Sequence, residues 1–461
     1  MIALGVGLAL LPLKWAGAGV AAAAVFVTIL VRPKLGLYLL IPAIPFSSLL
    51  QIPLGGASVG PVEALLALML AAWLAHMAAR RAIVIPHPPL LWPFLLFLGA
   101  VGASWAVTFS LTASLIETLK WLEMLALYLF MAAHLTRRDV PPLAAALLLG
   151  GLAQAAPGLY QFLFKAGPEG FLLFEGRFLR AFGTFRQPNP YAGYLGLILP
   201  LALSVTLWGA AQLWGGKRRS AGLWTAFGGA TLALLLAALF ASQSRGAWIG
   251  FAVAAVVTVL LAGEKWAAAL TAALVAAAIV VSMGGLALLP QSISQRFAGA
   301  VPYIGLSDVS TVAVTDANFA AIERLAHWQA ARDMWRDHLW LGVGFGNYQT
   351  TYPVYAVGRW LDPLGHAHNY LLNIGAEAGL VGVLGYLVFW VWVAAATVKH
   401  LRRAPPGSFQ RAVITGGLGI MAHLHLHNMV DNLYVQGMYL HVSVIFGLMT
   451  LVQNSEKSYR N

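Results

Sequence analysis

The 461-residue chain contains no cysteine. Disulfides, thiolate metal sites and a cysteine nucleophile are excluded, and the redox state of its compartment leaves no trace. Charge is scarce too: 10% of the residues are Asp, Glu, Lys or Arg, against about 25% in a soluble domain. With 60% of residues hydrophobic, the chain is expected to be an integral membrane protein. Acids are the scarcer sign, 16 against 28 Lys and Arg, for a formal charge of +12. No nucleic-acid partner is expected, because the bases fall in short clusters between apolar runs, not in one aromatic-studded patch. Also missing are an internal repeat, a soluble nucleotide-binding fingerprint, and a basic region ahead of the first apolar run, so no cleaved signal peptide is expected.

What is present is a succession of apolar runs. Residues 2–31 would cross once as a bent helix or twice as a hairpin. Further runs lie near 35–50, 60–79, 89–108, 115–135, 141–164, 190–212, 223–242, 246–262, 266–286, 377–398, 411–428 and 434–452. The expected fold is an all-α polytopic integral membrane protein with about 12–14 transmembrane helices and one large outer loop containing amphipathic helices. Its parts would be the N-terminal helices (1–286), the loop (287–368) and the C-terminal helices (369–461).

Bases at Arg32/Lys34, Arg80/Arg81, Arg137/Arg138, Lys217 to Arg219, Lys265, 399–411 and Lys457/Arg460 alternate with loops 51–59, 108–114 and 429–433, which have neither Lys nor Arg. The positive-inside rule puts the basic set in the cytoplasm. Loops 165–189, 243–245 and 287–368 then face outward and carry Arg177, Arg180, Arg186, Arg245, Arg324 and His368. Cations on the side the rule disfavours point to a binding task. Within the large loop, Ala321, Leu325, Trp328, Ala331 and Trp335 recur at helical spacing, predicting an amphipathic helix over 318–338 capped near Asn318. The GVGFGN that follows reads as a tight turn, since no strand precedes it as a phosphate loop requires.

Four stretches could carry chemistry. Gly365 to Gly382 reads GHAHNYLLNIGAEAGLVG. Taken as helix, it puts His368 and Gly379 on one face, with Gly375, Gly379 and Gly382 offering close approach to another helix and His366 pointing elsewhere. Residues 177–195, RFLRAFGTFRQPNPYAGYL, predict a helix start at Asn189 and Pro190, with the Asn189 side chain as cap. Beside it Arg180 and Arg186 would bind an anion, or else snorkel to lipid headgroups. SQSRG at 242–246 strands Arg245 between two spans, where it must pair or face water. His423, His427 and Asp431 follow i, i+4, i+8 spacing, which could suit zinc, but the glutamate of an HExxH site and a fourth ligand are missing, so no metal is expected. Asp431 is instead expected to pair with an outer arginine of the donor site, the alternative being interhelical hydrogen bonds only. Glu377 would bond within the bundle, and Lys120 would pair with Glu117 or Glu123.

His368-Asn369, nine residues, Gly379, two residues and Gly382 form H-N-x9-G-x-x-G, and Arg180, Gly183, Thr184, Phe185, Pro188 and Asn189 form R-x-x-G-T-F-x-x-P-N. In these motifs and the S-R-G element at Arg245, the sequence resembles the bacterial O-antigen ligase and O-antigen polymerase superfamily over roughly residues 170–450. The resemblance implies an inverting, metal-independent glycosyltransferase without cofactor in the bacterial inner membrane, working at its periplasmic face. It would move a glycan from undecaprenyl diphosphate to an acceptor hydroxyl. Arg180 and Arg245 would hold the diphosphate, with Arg186 at a looser position of the pattern, and His368 would be the general base. Asn369, His366, Asp431, His427 and Arg324 would support them. The partners implied are the lipid-linked donor, lipid A core or a growing glycan as acceptor, and membrane lipids. Ligase is favoured by the H-N-x9-G-x-x-G match. Polymerase and protein O-glycosyltransferase share the machinery, and a transporter of lipid-linked glycans is the alternative of another class, expected to show midplane charges and inverted repeats.

Overall fold

In a bilayer each backbone N–H and C=O must be satisfied within the protein, so apolar runs of this length fold as helices. A computed structural model describes residues 12–54, 57–173, 176–216, 219–282, 308–315 and 318–451. Expectations for residues 1–11, for Lys217 and Arg218, for the 286/287 boundary and for Lys457 and Arg460 lie outside the described residues. The helices are α1 (Leu13–Val31), α2 (Lys34–Ala43), α3 (Pro61–Ala79), α4 (Leu91–Ala103), α5 (Leu111–His134), α6 (Val140–Phe164), α7 (Pro188–Gly196), α8 (Leu199–Trp214), α9 (Arg219–Ser242), α10 (Arg245–Ala262), α11 (Glu264–Ser282), α12 (Phe319–Asp337), α13 (Tyr348–Tyr355), α14 (Tyr370–Arg403), α15 (Phe409–Asn428) and α16 (Met438–Thr450). Two short antiparallel hairpins complete the described structure: β1 (Ile52–Leu54) with β2 (Ala57–Val59), and β3 (Leu172–Leu173) with β4 (Phe178–Leu179).

The chain is an all-α polytopic membrane protein. Among the described residues, 7 helical stretches are long and apolar enough to cross a bilayer, and shorter apolar helices span Lys34–Phe46, Leu91–Val107 and Met438–Thr450. Two more helices are long enough but carry polar residues: α5 in mid-course through Glu117, Lys120 and Glu123, and α15 in its last two turns through His423, His425 and His427. Part of the expected dozen spans are therefore polar-lined helices, of the kind that faces a cavity.

The main core packs α4, α5, α14 and α16 through Phe94, Phe97, Trp121, Phe389 and Phe446. Elsewhere α8 packs against α9, and α15 lies between α8 and α10. At one end the basic loops meet, with Lys34 2.6 Å from Asp139.

The stretch after α12 explains the glycines of α14. Gly379 leaves helical geometry at φ 62° and ψ −160°. The released N–H groups of Leu380 and Val381 donate to the carbonyls of Leu339 and Trp340 at 2.8 and 3.2 Å. A Cβ on Gly379 would sit 2.3 Å from the Trp340 carbonyl, so only glycine allows this approach. Gly375 is covered by the ring of Trp335. The small-residue ladder thus receives α12 and the chain that follows it, and not another transmembrane helix as expected.

Helix α12 forms where periodicity predicts it; of the expected stripe Ala331 is buried and Ala321, Leu325, Trp328 and Trp335 are half-buried, while Ile322, Ala326, His327, Ala330 and Met334 make up the rest of the buried face. The buried apolar ones pack with Val343, Tyr348 and Tyr352 in a second, smaller core. Trp335 packs instead against the main core. Asn318 stands at the N-cap, but its side chain accepts from Thr315 N at 2.7 Å and not from the helix.

Candidate active site

Helix α14 starts later than a helical reading of Gly365 to Gly382 requires. Asn369 is its N-cap, its side chain accepting from Leu372 N at 3.1 Å, which satisfies a free N–H of the first turn. His368 therefore precedes the helix, at φ 51°, a left-handed conformation that non-glycine residues seldom adopt. It shares no helical face with Gly379, which corrects that expectation. The loop before it is held by Ala367 N donating to Asn373 Oδ1 at 3.0 Å and His368 N donating to His366 Nδ1 at 3.1 Å.

Asp431 also lies off a helix. Helix α15 ends at Asn428, whose side-chain oxygen accepts from Leu433 N at 2.9 Å, and Asp431 Oδ1 accepts from Asn432 N at 2.9 Å. This self-bonded turn carries Asp431 beneath the 365–369 loop. Its Oδ1 lies 3.6 Å from His368 Nδ1 and 3.8 Å from His366 Nε2, and its Oδ2 lies 3.9 Å from His427 Nε2. Asp431 thus faces three histidines where an arginine was expected. His366, expected to point away, faces the same carboxylate.

Burial works against the Asp431 charge, yet the approach of His368 and His427 and the positive potential of the cluster outweigh it and hold the carboxyl well below the usual carboxylate range. Burial and the charge of His368 push His366 down to about 3. His327 on α12 is pushed down to about 4 by burial and then by His368, whose ring meets its own edge-on at 5.6 Å. Sequence reading passed over His327; its place in the ERLAHW segment of an amphipathic helix was the available signal.

These shifts set a pH dependence of stability. Both histidines bind a proton near 6.5 when unfolded, so between 6.5 and their folded values the unfolded chain holds more protons and acid destabilises the fold. The lowered Asp431 acts in the same direction at lower pH. The thermal transition in detergent is expected to fall from about pH 7 to pH 4, by at most about 1.4 kcal/mol per pH unit per histidine. His327→Asn should flatten that slope, and a transition that rises toward acid contradicts the assignment.

Among the described residues, His366, His368 and Asp431 bring one ligand atom each within 4.8 Å of one another. Two imidazoles and a carboxylate are a reasonable donor set for a divalent metal. The hydrogen bonding does not fit one. Because His366 Nδ1 accepts the backbone N–H of His368, the ring proton belongs on Nε2, the atom that would have to coordinate. His368 is differently placed: Nδ1 faces Asp431 Oδ1 at 3.6 Å, an ion-pair distance longer than a hydrogen bond, and both ring nitrogens are buried with no hydrogen-bond partner among the described residues.

The arginines come from segments tied to the same end. Gly183, at φ 55°, would clash with Gln154 Oε1 and the Tyr191 ring if it had a Cβ, both 2.6 Å away. Thr184 is anchored by its N–H to Gln154 Oε1 at 3.0 Å and by its hydroxyl to Pro45 O at 2.6 Å. From this scaffold Arg180 donates through Nε to Ser242 O at 3.1 Å and through Nη2 to Asn189 Oδ1 at 2.8 Å. Asn189 therefore holds Arg180 and does not cap a helix; α7 begins at Pro188, with Gln187 at the N-cap. Arg180 grips the turn that ends in Arg245, the first residue of α10. The neighbouring Gly246 packs against Val430, with the His427 ring next nearest, so the start of α10 adjoins the Asp431 turn. Arg186 is exposed and donates to Gln51 at 3.1 Å.

On α5, Lys120 pairs with Glu117 at 2.6 Å and Tyr439 donates to Glu123. Glu377 accepts from Tyr348 N, at the start of α13, at 2.9 Å, a bond to the outer loop where one within the bundle was expected.

No curated protein matches the chain. Residues 230–387 match the family model described as O-antigen ligase. That stretch contains Arg245, Arg324, His366, His368 and the glycines of α14, and the match supports a likeness to the O-antigen ligase superfamily, whose members are glycosyltransferase-like ligases and polymerases.

Proposed function

We propose that the protein transfers a glycan from a polyprenyl diphosphate, undecaprenyl diphosphate in a bacterium, to an acceptor hydroxyl at the periplasmic face of the inner membrane. The observation that supports this most is the His368–Asp431 pair. A carboxylate facing Nδ1 favours the ring proton there and leaves the Nε2 lone pair as acceptor, in a place where no described residue bonds to it. In the reaction, His368 Nε2 takes the proton of the acceptor hydroxyl as its oxygen attacks the anomeric carbon. The bond from that carbon to the diphosphate oxygen breaks, and the lipid diphosphate leaves with the electron pair. Arg245, at the start of α10, binds the charge that grows on the leaving group, with Arg180 beside it and Arg186 further out. One displacement inverts the anomeric configuration.

A step needing no Lewis acid agrees with the tautomer that the His366 hydrogen bond dictates. Transfer is expected to proceed undiminished in EDTA; a loss of more than about tenfold, restored by a divalent metal, contradicts this.

The acceptor proposed is lipid A core, which makes the protein a ligase. Purified protein in detergent is incubated with a lipid-diphosphate-linked glycan, with and without lipid A core. Product on the core supports the ligase. Elongation of the donor alone makes the protein a polymerase, and inertness toward both contradicts the proposal.

A further inference from the structure

The two residues of the His368–Asp431 pair come from separate turns, one ahead of α14 and held to it through Asn373, one after α15 and held to it through Asn428. What joins them is α12. Its Trp328 Nε1 donates to the carbonyl of His368 at 3.1 Å, and its Arg324 Nε donates to the carbonyl of Val430, the residue before Asp431, also at 3.1 Å. Arg324 and Trp328 are four residues apart, one turn of a helix, so both donors project from one face. Between them His327 lays its ring edge-on against His368 and is itself fixed by Tyr348 at 2.9 Å and by stacking on Tyr352. The helix that bears these groups is seated in its own small core. It is a rigid element touching both halves of the pair through their backbones.

The backbone of His368 shows why such a grip matters. A histidine at φ 51° returns to commoner geometry unless its surroundings over-determine it. The indole bond to its carbonyl is one of the constraints that do so, with the His366 bond to its N–H as the other.

We infer that α12 is a clamp that sets the distance and angle between His368 and Asp431, with Trp328 and Arg324 as positioning residues; the inference rests on His368 being the base. A competing role for Arg324 is contact with the diphosphate, since it lies within electrostatic reach of Arg245. Against it, two of the guanidinium nitrogens are committed to carbonyls, Nε to Val430 and Nη1 to Ala320 at 3.0 Å. Trp328, which has no charge, cannot share that competing role, so the two residues should behave alike only if both position the pair.

The test uses the full-length protein in detergent with Trp328→Phe, which keeps a ring and loses the N–H, and Arg324→Lys, which keeps the charge and loses the Nε contact. Each is expected to lower kcat by about tenfold to a hundredfold, the size of effect that a small misplacement of a reacting group produces. The donor KM should stay within about twofold and the thermal transition unchanged. Because both act on one spacing, the double variant should lose less than the product of the single losses. Wild-type kcat in Trp328→Phe overturns the clamp. So does an Arg324→Lys variant that raises donor KM at constant kcat, which would put Arg324 on the diphosphate. His368→Ala, run alongside, separates the two readings. If it is inactive while Trp328→Phe is normal, the clamp alone fails; if it is active, the base assignment fails whatever the α12 variants do.

Discussion

His368→Ala is expected to lower glycan transfer by about 10²- to 10⁴-fold, the range that a positioned general base contributes, while the donor remains bound. The argument rests on geometry first. His368 stands ahead of α14, where Asn369 starts the helix, and Asp431 Oδ1 lies 3.6 Å from its Nδ1. The carboxylate is held ionised, so it favours the tautomer with the proton on Nδ1 and steadies the imidazolium that forms as the acceptor proton arrives. His366 cannot substitute: its Nδ1 is occupied by the backbone N–H of His368, and its other nitrogen faces the same carboxylate. The measurement is a single turnover from prebound donor. A variant within about threefold of wild type would remove His368 from the chemistry.

Arg245→Ala is expected to cost about 10²- to 10³-fold in kcat, as loss of one charge-stabilising donor does at other transfer sites, and to weaken donor binding as well. Arg245 opens α10, so its guanidinium and the helix N-terminus act on an anion in the same direction. The turn before it is braced by Arg180, which donates to Ser242 O. Arg180→Ala should therefore lower both donor affinity and kcat, because it removes a donor and loosens the segment carrying Arg245. Arg186 is exposed and bonded to Gln51, and Arg186→Ala should change transfer by less than about tenfold. Equal losses in all three variants would contradict this ranking, which steady-state kinetics with varied donor would reveal.

The bundle is legible in the sequence because span length and apolarity are local properties. Arg245 is legible for the same reason: an arginine in so short a connection between apolar runs has few places to go. The meeting of Asp431 with His366 and His368 is not, because helical spacing assigns faces only to residues on helices, and all three lie on turns. Those turns follow side-chain bonds from Asn369, Asn373 and Asn428 to backbone N–H groups. An asparagine ahead of an apolar run is a cap signal, and reading Asn369 that way places His368 off the helix. The left-handed backbone of His368 has no compositional mark at all. The polar stripe of α5 can be read as residues, but not its orientation, since that depends on which neighbours α5 meets.

The measurement that tests the account most directly is the anomeric configuration of the product, read by NMR, together with the amount of lipid diphosphate released per bond formed, using purified wild-type protein and a donor of known configuration. A single displacement assisted by one base predicts inversion, with one lipid diphosphate released for each glycosidic bond. Retention would require a covalent intermediate on a protein nucleophile, and would contradict the role assigned to His368.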